Sequence, residues 1–573
     1  MHKEFTHRSK PILLIMISSV LILVLLVLAK QSIESFLFGG YTIILLLLLG
    51  VISTCTWIYI SALWNKLNNA QRYILVGSFI LLFTFLYFSK LIVLNSNGED
   101  GLYPLLADAF ANGQFSLLSL PSPELLALPD PYDPIANNGL RLHDALLFNG
   151  KYYIYFGPVP AVILLVVNWL YRVGVGNEFL MIFFLSIISL MVFLLIYRFW
   201  QRNYLHVSWK IPLLCFVVVV WSLPMMWMVG RPEVYESAIL GGQAFLLTGL
   251  YFLLIALDAG KSQNLLLTLA GSAFGLAVGT RWNMAVPVLL VSALVMILLV
   301  GQLSQKKLSM KLKPLLAYFL PLVLFAIIYM YYNFARFGSP FDLGIKYVLT
   351  GHEQRNSNLF SFENIKNNLI RYFLIPPKEL RFEYPFIFYV GSKNNDILAI
   401  YGVTPHPRIG YLGTEVLSAI YWVAPLLFAG FYPIFSLFRN FARYCRMRRS
   451  ELNFADWLKE KEQYYSLFLI LFAIGGFIPL LTFFYSTMRY HMDYFPALGL
   501  LAAIGILNLY VVLSKTLYCD FGKYVFLFSS LYTVIIGVIA SITSQYNNFA
   551  IMNPTAIKLL DTAALIFKNA FIK

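Results

Sequence analysis

Five short polar segments interrupt a chain that is otherwise strongly apolar, and their side chains are of the types that run group-transfer chemistry. Glu99 and Asp100 stand in NSNGEDG, and Arg231, Glu233 and Glu236 in GRPEVYES. Arg281 sits in GTRWN, Arg336 in YYNFARFGSP, and Arg489, His491 and Asp493 in STMRYHMDYFP. A carboxylate facing a cleft can take the proton of an attacking hydroxyl. Arginines can meet a departing phosphate through charge-assisted, often bidentate hydrogen bonds in a water-poor site. An ionisable group at membrane depth costs about 2.5–3.5 kcal/mol or more, so a gathering of them at the ends of apolar runs calls for a reason.

The elements that must position these groups follow from composition. Of 573 residues, 60% are hydrophobic and 12% charged, and the mean hydropathy is +0.73. Soluble domains run about 45–50% apolar and about 25% charged. A string of soluble domains, a secreted disulfide scaffold and a disordered chain are all excluded. Four cysteines are too few for a disulfide framework. The sequence predicts an all-α polytopic membrane protein of about thirteen spans. These are expected at 11–30, 41–61, 73–94, 178–199, 209–229, 236–257, 263–280, 285–301, 313–332, 413–436, 464–486, 493–514 and 522–541. The apolar run of 11–30 exceeds the roughly 7–15 residues of a signal peptide and reads as an uncleaved span. The run 158–174 carries Pro158, Pro160, Asn168 and Arg172 and reads as a helix lying at the interface.

With that choice the positive-inside rule puts the N-terminus in the cytoplasm, together with the basic stretch RNFARYCRMRR. Two long ordered loops, 95–177 and 333–412, fall outside. The polar segments then share the outer face, where adjacent spans bring carboxylates and arginines into one partly buried pocket. The net charge of +15 records this topology and lends no support to nucleic-acid binding. The tail beyond 541 contains TAIKLLDTAALIFKNAF, an amphipathic stretch suited to a membrane surface.

Each residue also has a plainer reading. Asp100 could cap the helix that begins just after it, and Glu99 could be its solvated neighbour. Asp130 and Asp133 in PDPYDP read first as turn residues, and His143 with Asp144 as a loop pair. Arg281 could pair structurally with Glu233 or Glu236. Arg489 and His491 sit at a span boundary, where snorkelling side chains are common.

Four stretches together resemble a known group: GEDGLYPLLADAFANGQFSL, LHDALLFNGKYYIYFGPVPAVILL, NFARFGSPFDLG and RYHMDYFPALGLLAAIG. In order and membrane position they are similar to the GT-C superfamily of integral-membrane glycosyltransferases, distantly like the protein mannosyltransferases and aminoarabinose transferases. The likeness covers roughly residues 73–515. It leaves two extra spans in 1–72 and a last span with an external tail in 516–573. The resemblance implies an inverting transfer of a sugar from a polyprenyl-phosphate donor to a hydroxyl on a lipid, glycan or protein acceptor, at the outer face of a bacterial inner membrane. It makes Asp100 the base, with Glu99 the lesser candidate. Arg281 and Arg489, with His491, would hold the lipid phosphate. Glu233 or Glu236 would position the acceptor or an arginine, and Lys151, Tyr152 and Tyr153 would help shape the sugar pocket. No cofactor is required by this reading. Glu-Asp fits the family's acidic pair or modified D-x-D only loosely, so a divalent metal stays open but is not favoured. The rivals are a transporter or flippase of lipid-linked sugars, for which no internal repeat is visible, and a polysaccharide polymerase or ligase using a pyrophosphate-linked donor.

Overall fold

A computed structural model of the chain describes residues 67–96, 101–172, 174–258, 263–301, 308–351, 354–355, 358–391, 395–403, 415–446, 463–543 and 547–571. The spans expected at 11–30 and 41–61, and Glu99 and Asp100 themselves, lie outside the described residues. The principal helices begin with α1 (Asn69–Asn95) and α2 (Leu102–Ala111). The short hairpin β1 (Leu146–Phe148) and β2 (Lys151–Tyr153) precedes α3 (Val159–Tyr171). Then come α4 (Asn177–Asn203), α5 (Lys210–Val220), α6 (Leu223–Val229), α7 (Val234–Asp258) and α8 (Gln263–Thr280). They are followed by α9 (Ala285–Gly301), α10 (Leu308–Phe337), α11 (Asn364–Phe373) and α12 (Phe431–Arg446). The last four are α13 (Gln463–Thr482), α14 (Phe495–Leu513), α15 (Cys519–Ile542) and α16 (Pro554–Phe571).

Among the described residues, eight helices are long and apolar enough to cross a membrane, and nine if the bent pair α5–α6 is one span. The chain is a multi-pass helical membrane protein. Local chemistry explains where elements start and break. Asn68 and Gln71 form a reciprocal capping box at the start of α1, each side chain meeting the other's backbone N–H. The expected span 209–229 bends by 47° between α5 and α6, where Ser222 and Pro224 open a new helix. The expected span 413–436 is not one helix. Residues Ile420–Val423 make a single turn, Pro425–Gly430 a 3-10 turn, and α12 only then begins. Pro425 has no N–H to donate and pushes Ala424 out of the helical region, to φ −143°, ψ 70°. At about 1.5 Å per residue, α3 covers about 20 Å, short of the about 30 Å of a bilayer core.

Helix α7 packs along both α8 and α4 in the middle of the bundle, and α8 along α10. Gly271, Gly275 and Gly279 recur every four residues on α8. A Cβ at any of them would collide with Tyr318, Phe325 or Tyr329 of α10, so small residues let the two backbones approach closely.

The long loop between α1 and α4 is folded onto one end of this bundle. Asn149 and Gly150, both with positive φ, make the tight turn of the hairpin. Trp282 donates to the Tyr155 carbonyl at 2.7 Å, Arg336 to the Ile154 carbonyl at 2.6 Å, and Tyr235 to Asp144. Three spans therefore hold the stretch 144–155. The second loop joins it, since Asp144 and Leu349 exchange backbone hydrogen bonds with Leu349 and Ala145, and Leu146 pairs with Val348.

Candidate active site

Beneath the clamped stretch, the turns between spans deliver their charges to one place. Arg489 lies in the 3-10 turn Met488–Asp493 between α13 and α14. Its guanidinium is 5% exposed and bonds Glu415 in a two-point grip, 2.7 Å to Oε2 and 3.4 Å to Oε1. Glu236, 1% exposed on the first turn of α7, is 3.9 Å away. The Arg489 guanidinium also lies 4.7 Å over the Tyr235 ring. On the other side Arg281, in the turn after α8, bonds Asp493 at 2.7 Å, and Asn283 reaches the same carboxylate oxygen at 3.4 Å. Tyr490 stands between the two arginines, 5.5 Å from Arg281 and 5.6 Å from Arg489. Arg231 bonds Glu233 at 2.6 Å and acts electrostatically on Glu236.

Three arginines thus meet four carboxylates in one largely buried cluster. A fifth, Asp144, is one tyrosine hydroxyl away through Tyr235. Several of these groups keep hydrogen-bonding capacity that no described residue uses. The Nε–H groups of Arg281 and Arg489, Glu236 Oε2, Asp493 Oδ1 and the Tyr103 hydroxyl are all buried without a hydrogen-bond partner among the described residues. Buried polar atoms are normally satisfied, and leaving one unmet costs about 1–3 kcal/mol. Burial pushes the Asp493 carboxyl above its usual range, although Arg281 and Asn283 pull it down. Burial also pushes Glu415 up, but Arg489 and the Thr487 hydroxyl outweigh it and hold that carboxyl below its usual value.

The residues singled out in the sequence separate into groups. Arg281, Arg489, Glu233 and Glu236 are brought together here. Glu99 and Asp100 lie outside the described residues. Their flanks are anchored at this end of the bundle: Asn95 donates to the Val229 carbonyl, Ser96 bonds Glu178, and Gly101 packs against Asn177. His491 turns away from the arginines. Its Nε2 faces the Ser418 carbonyl at 2.9 Å and its Nδ1 the Tyr494 hydroxyl at 2.5 Å. This fixes the tautomer from the network: Nε2–H donates and Nδ1 accepts. Burial lowers its pKa to about 4, so the ring is neutral and both nitrogens are occupied.

Lys151 is exposed, Tyr152 is buried under the loop, and Tyr153 packs edge-on against Phe337. No hydrogen bond or ion pair joins these three to the arginine cluster among the described residues. The member of KYYIYF that reaches it is Tyr155, which bonds Tyr235 and feels the Arg489 charge. Asp130 and Asp133 cap backbone N–H groups two residues on, as turn residues do. Among the described residues no three His, Cys, Asp or Glu side chains are grouped as ligands for a metal ion.

Sequence reasoning passed over two residues, Glu415 and Tyr490, and read a third, Asp144, as half of a loop pair. Glu415 stands at the edge of an apolar run, 74 positions from the arginine it grips. Tyr490 lies inside the very motif that supplied Arg489. Asp144 had only its pairing with His143 to mark it, at 3.6 Å in the structure.

No family model matches the chain, and no curated protein matches it. Solved structures similar to it include the apo crystal structure of the Archaeoglobus fulgidus oligosaccharyltransferase, at 13% identity and a TM-score of 0.46, covering 82% of this chain and 56% of that one. The same enzyme tethered to an acceptor peptide with the NVT sequon gives 13% and 0.43, and its complex with an inhibitory peptide and a dolichol-phosphate gives 13% and 0.40. The chain spans just over half the length of these proteins, 55–56%.

Proposed function

We propose that this protein is a membrane glycosyltransferase that moves a sugar from a polyprenyl-phosphate donor to an acceptor hydroxyl at the outer face of the membrane, with inversion. The observation that carries the reading is the pair of buried guanidinium groups, Arg281 and Arg489, on either side of Tyr490 with their Nε–H groups unmet. Donors held in a low-dielectric chamber before the reaction are what a departing phosphate needs. Each arginine is already neutralised by a carboxylate, so the phosphate would share Arg489 with Glu415 and Arg281 with Asp493. Those carboxylates hold the guanidinium groups in place, which lowers the cost of organising them during transfer.

In this reading the acceptor oxygen attacks the anomeric carbon as the carbon–phosphate oxygen bond breaks. The electron pair of that bond leaves with the lipid phosphate, and Asp100 takes the acceptor's proton. Asp100 is assigned by sequence position and family resemblance, with Glu99 beside it. Glu236 and Glu233 position Arg489 and Arg231, and Tyr155 with Tyr235 lines the sugar side.

The test is single-turnover transfer by the full chain in lipid nanodiscs, with a panel of polyprenyl-phosphate sugars and a mixed acceptor pool. Wild type is expected to consume donor and form a glycosidic bond, and Asp100→Asn to lose at least a hundredfold in rate. Undiminished turnover in Asp100→Asn would remove Asp100 as the base. Donor crossing the bilayer with no bond formed would favour the carrier reading, which the bend between α5 and α6 would suit.

A further inference from the structure

The opposite end of the helix bundle holds a second polar site. Along α14, Asn508 lies thirteen residues beyond Phe495, about 20 Å from the arginine cluster at 1.5 Å per residue. Here α4, α12, α13 and α14 line an open cavity of about 280 Å³, just below the range of about 300–1,000 Å³ for small-ligand pockets. Each helix turns one face toward it. Helix α12 presents Pro433, Ser436, Leu437 and Asn440, spaced three and four residues apart as one stripe requires. Gln463 and Ser466 come from α13, and Asn508 from α14. Asn203 closes α4, and Tyr204 follows it.

The lining is amides and hydroxyls with apolar and aromatic walls, and among the described residues it contains no charged side chain and no histidine. Tyr204 donates to the side-chain amide oxygen of Asn508 at 2.6 Å, which fixes that wall. The nearby arginines Arg198 and Arg202 are both drawn to Asp258 at the end of α7. Gln463 is the telling residue. It is 6% exposed, and among the described residues neither its amide nitrogen nor its amide oxygen has a hydrogen-bond partner. A buried primary amide with both ends unmet is costly, and the cavity is where a ligand could reach it.

We propose that this cavity binds an uncharged polyhydroxyl group of about monosaccharide size, carried by a neutral glycolipid or free in solution. The argument is by chemistry. A phosphate or ammonium group would enter without a counter-charge in the lining. A purely apolar group would leave Gln463 unmet. Adjacent hydroxyls, each both donor and acceptor, satisfy both ends of the amide and leave the aromatic wall of Phe199 and Tyr204 for the ring's C–H face. The site is separate from the transfer chemistry and does not depend on that reading.

The experiment uses the full chain in phosphatidylcholine nanodiscs. Lipid retention is read by native mass spectrometry with monoglucosyl-diacylglycerol or with phosphatidylglycerol, and free glucose is read by saturation-transfer NMR. Wild type is expected to retain the glucosyl lipid, or to bind free glucose, in preference to phosphatidylglycerol. Retention with no free-glucose signal assigns the headgroup source, and the converse assigns the soluble sugar. Gln463→Met, of similar size, is expected to lower occupancy at least tenfold, and Ser466→Ala about threefold. Thr268→Val, in a separate groove of about 660 Å³ lined by α8 and α10, should change nothing. The proposal is overturned if wild type binds neither neutral probe, if phosphatidylglycerol is retained equally, or if both Gln463→Met and Ser466→Ala bind like wild type.

Discussion

Arg489 offers the sharpest separation of catalysis from architecture. Its guanidinium is 5% exposed, with Glu415 at 2.7 Å and Glu236, itself 1% exposed, at 3.9 Å. Arg489→Met keeps the aliphatic stem but leaves Glu415 without its bonded cation and Glu236 with Arg231 alone. Removing one partner of such a buried pair costs about 3–5 kcal/mol, and much of that is the isolated charge rather than the lost attraction. Adding Glu415→Gln removes that orphan, so the double variant should regain part of the loss, with a coupling of about 1–3 kcal/mol. Transfer should behave differently. If Arg489 stabilises the leaving phosphate, its removal costs about 10²–10³ in rate, and the double variant stays as slow as the single one. The assay pairs chemical unfolding in nanodiscs with single-turnover donor consumption on the same four proteins. A double variant that recovers both stability and rate to within a few-fold of wild type would refute the phosphate role and leave Arg489 as a structural cation.

Three further outcomes are expected. The His491 pKa of about 4 lies below the unfolded value of about 6.5. The unfolded chain therefore binds more protons, and the stabilisation is complete above about pH 6.5 and is lost as pH falls toward 4. At about 1.4 kcal/mol per pH unit the loss approaches about 3 kcal/mol, and a thermal-unfolding series from pH 7 to 4 on wild type and His491→Gln should show it only in wild type. Tyr235→Phe frees Asp144 from α7 and is expected to cost about 1 kcal/mol while raising proteolytic cleavage in 138–150, as followed by mass spectrometry. Gly157→Ala would drive a methyl into the Gly279 carbonyl. It should lower stability by about 1–3 kcal/mol and slow transfer, and an unchanged melting profile would contradict the close approach of loop and α8.

The spans were readable because about twenty apolar residues in a row have few other uses. Their ends were legible to within a few residues, as with 73–94 against Asn69–Asn95 and 493–514 against Phe495–Leu513. What failed was continuity. Hydropathy averages over Pro425 as readily as over leucine, so the broken segment around 420–430 looked like a crossing. The convergence of Arg281, Arg489, Glu233 and Glu236 followed from topology, because turns on one side of a membrane have little room to separate. Their pairing did not. Arg281 chose Asp493 rather than Glu233 or Glu236, and Arg489 chose Glu415, because helix rotation and loop path decide which side chains meet. His491 shows the same limit: its neighbour Arg489 points into the chamber, while the ring two residues on turns to Ser418 and Tyr494.

The order in which the chamber's charges are made carries a consequence for biosynthesis. A chain entering the bilayer N-terminus first produces Arg281 212 residues before Asp493, and Glu236 well before Arg489. The α7 turn carries its own counter-ion, since Arg231 bonds Glu233 and acts on Glu236 within a few residues. That span enters the membrane with a counter-charge to its own arginine close in sequence. Arg281 has no such companion beside it and waits at the water boundary until the last third of the chain is synthesised. The chamber therefore closes late, and α13–α14 with their connecting turn act as the keystone of assembly as well as a wall of the site.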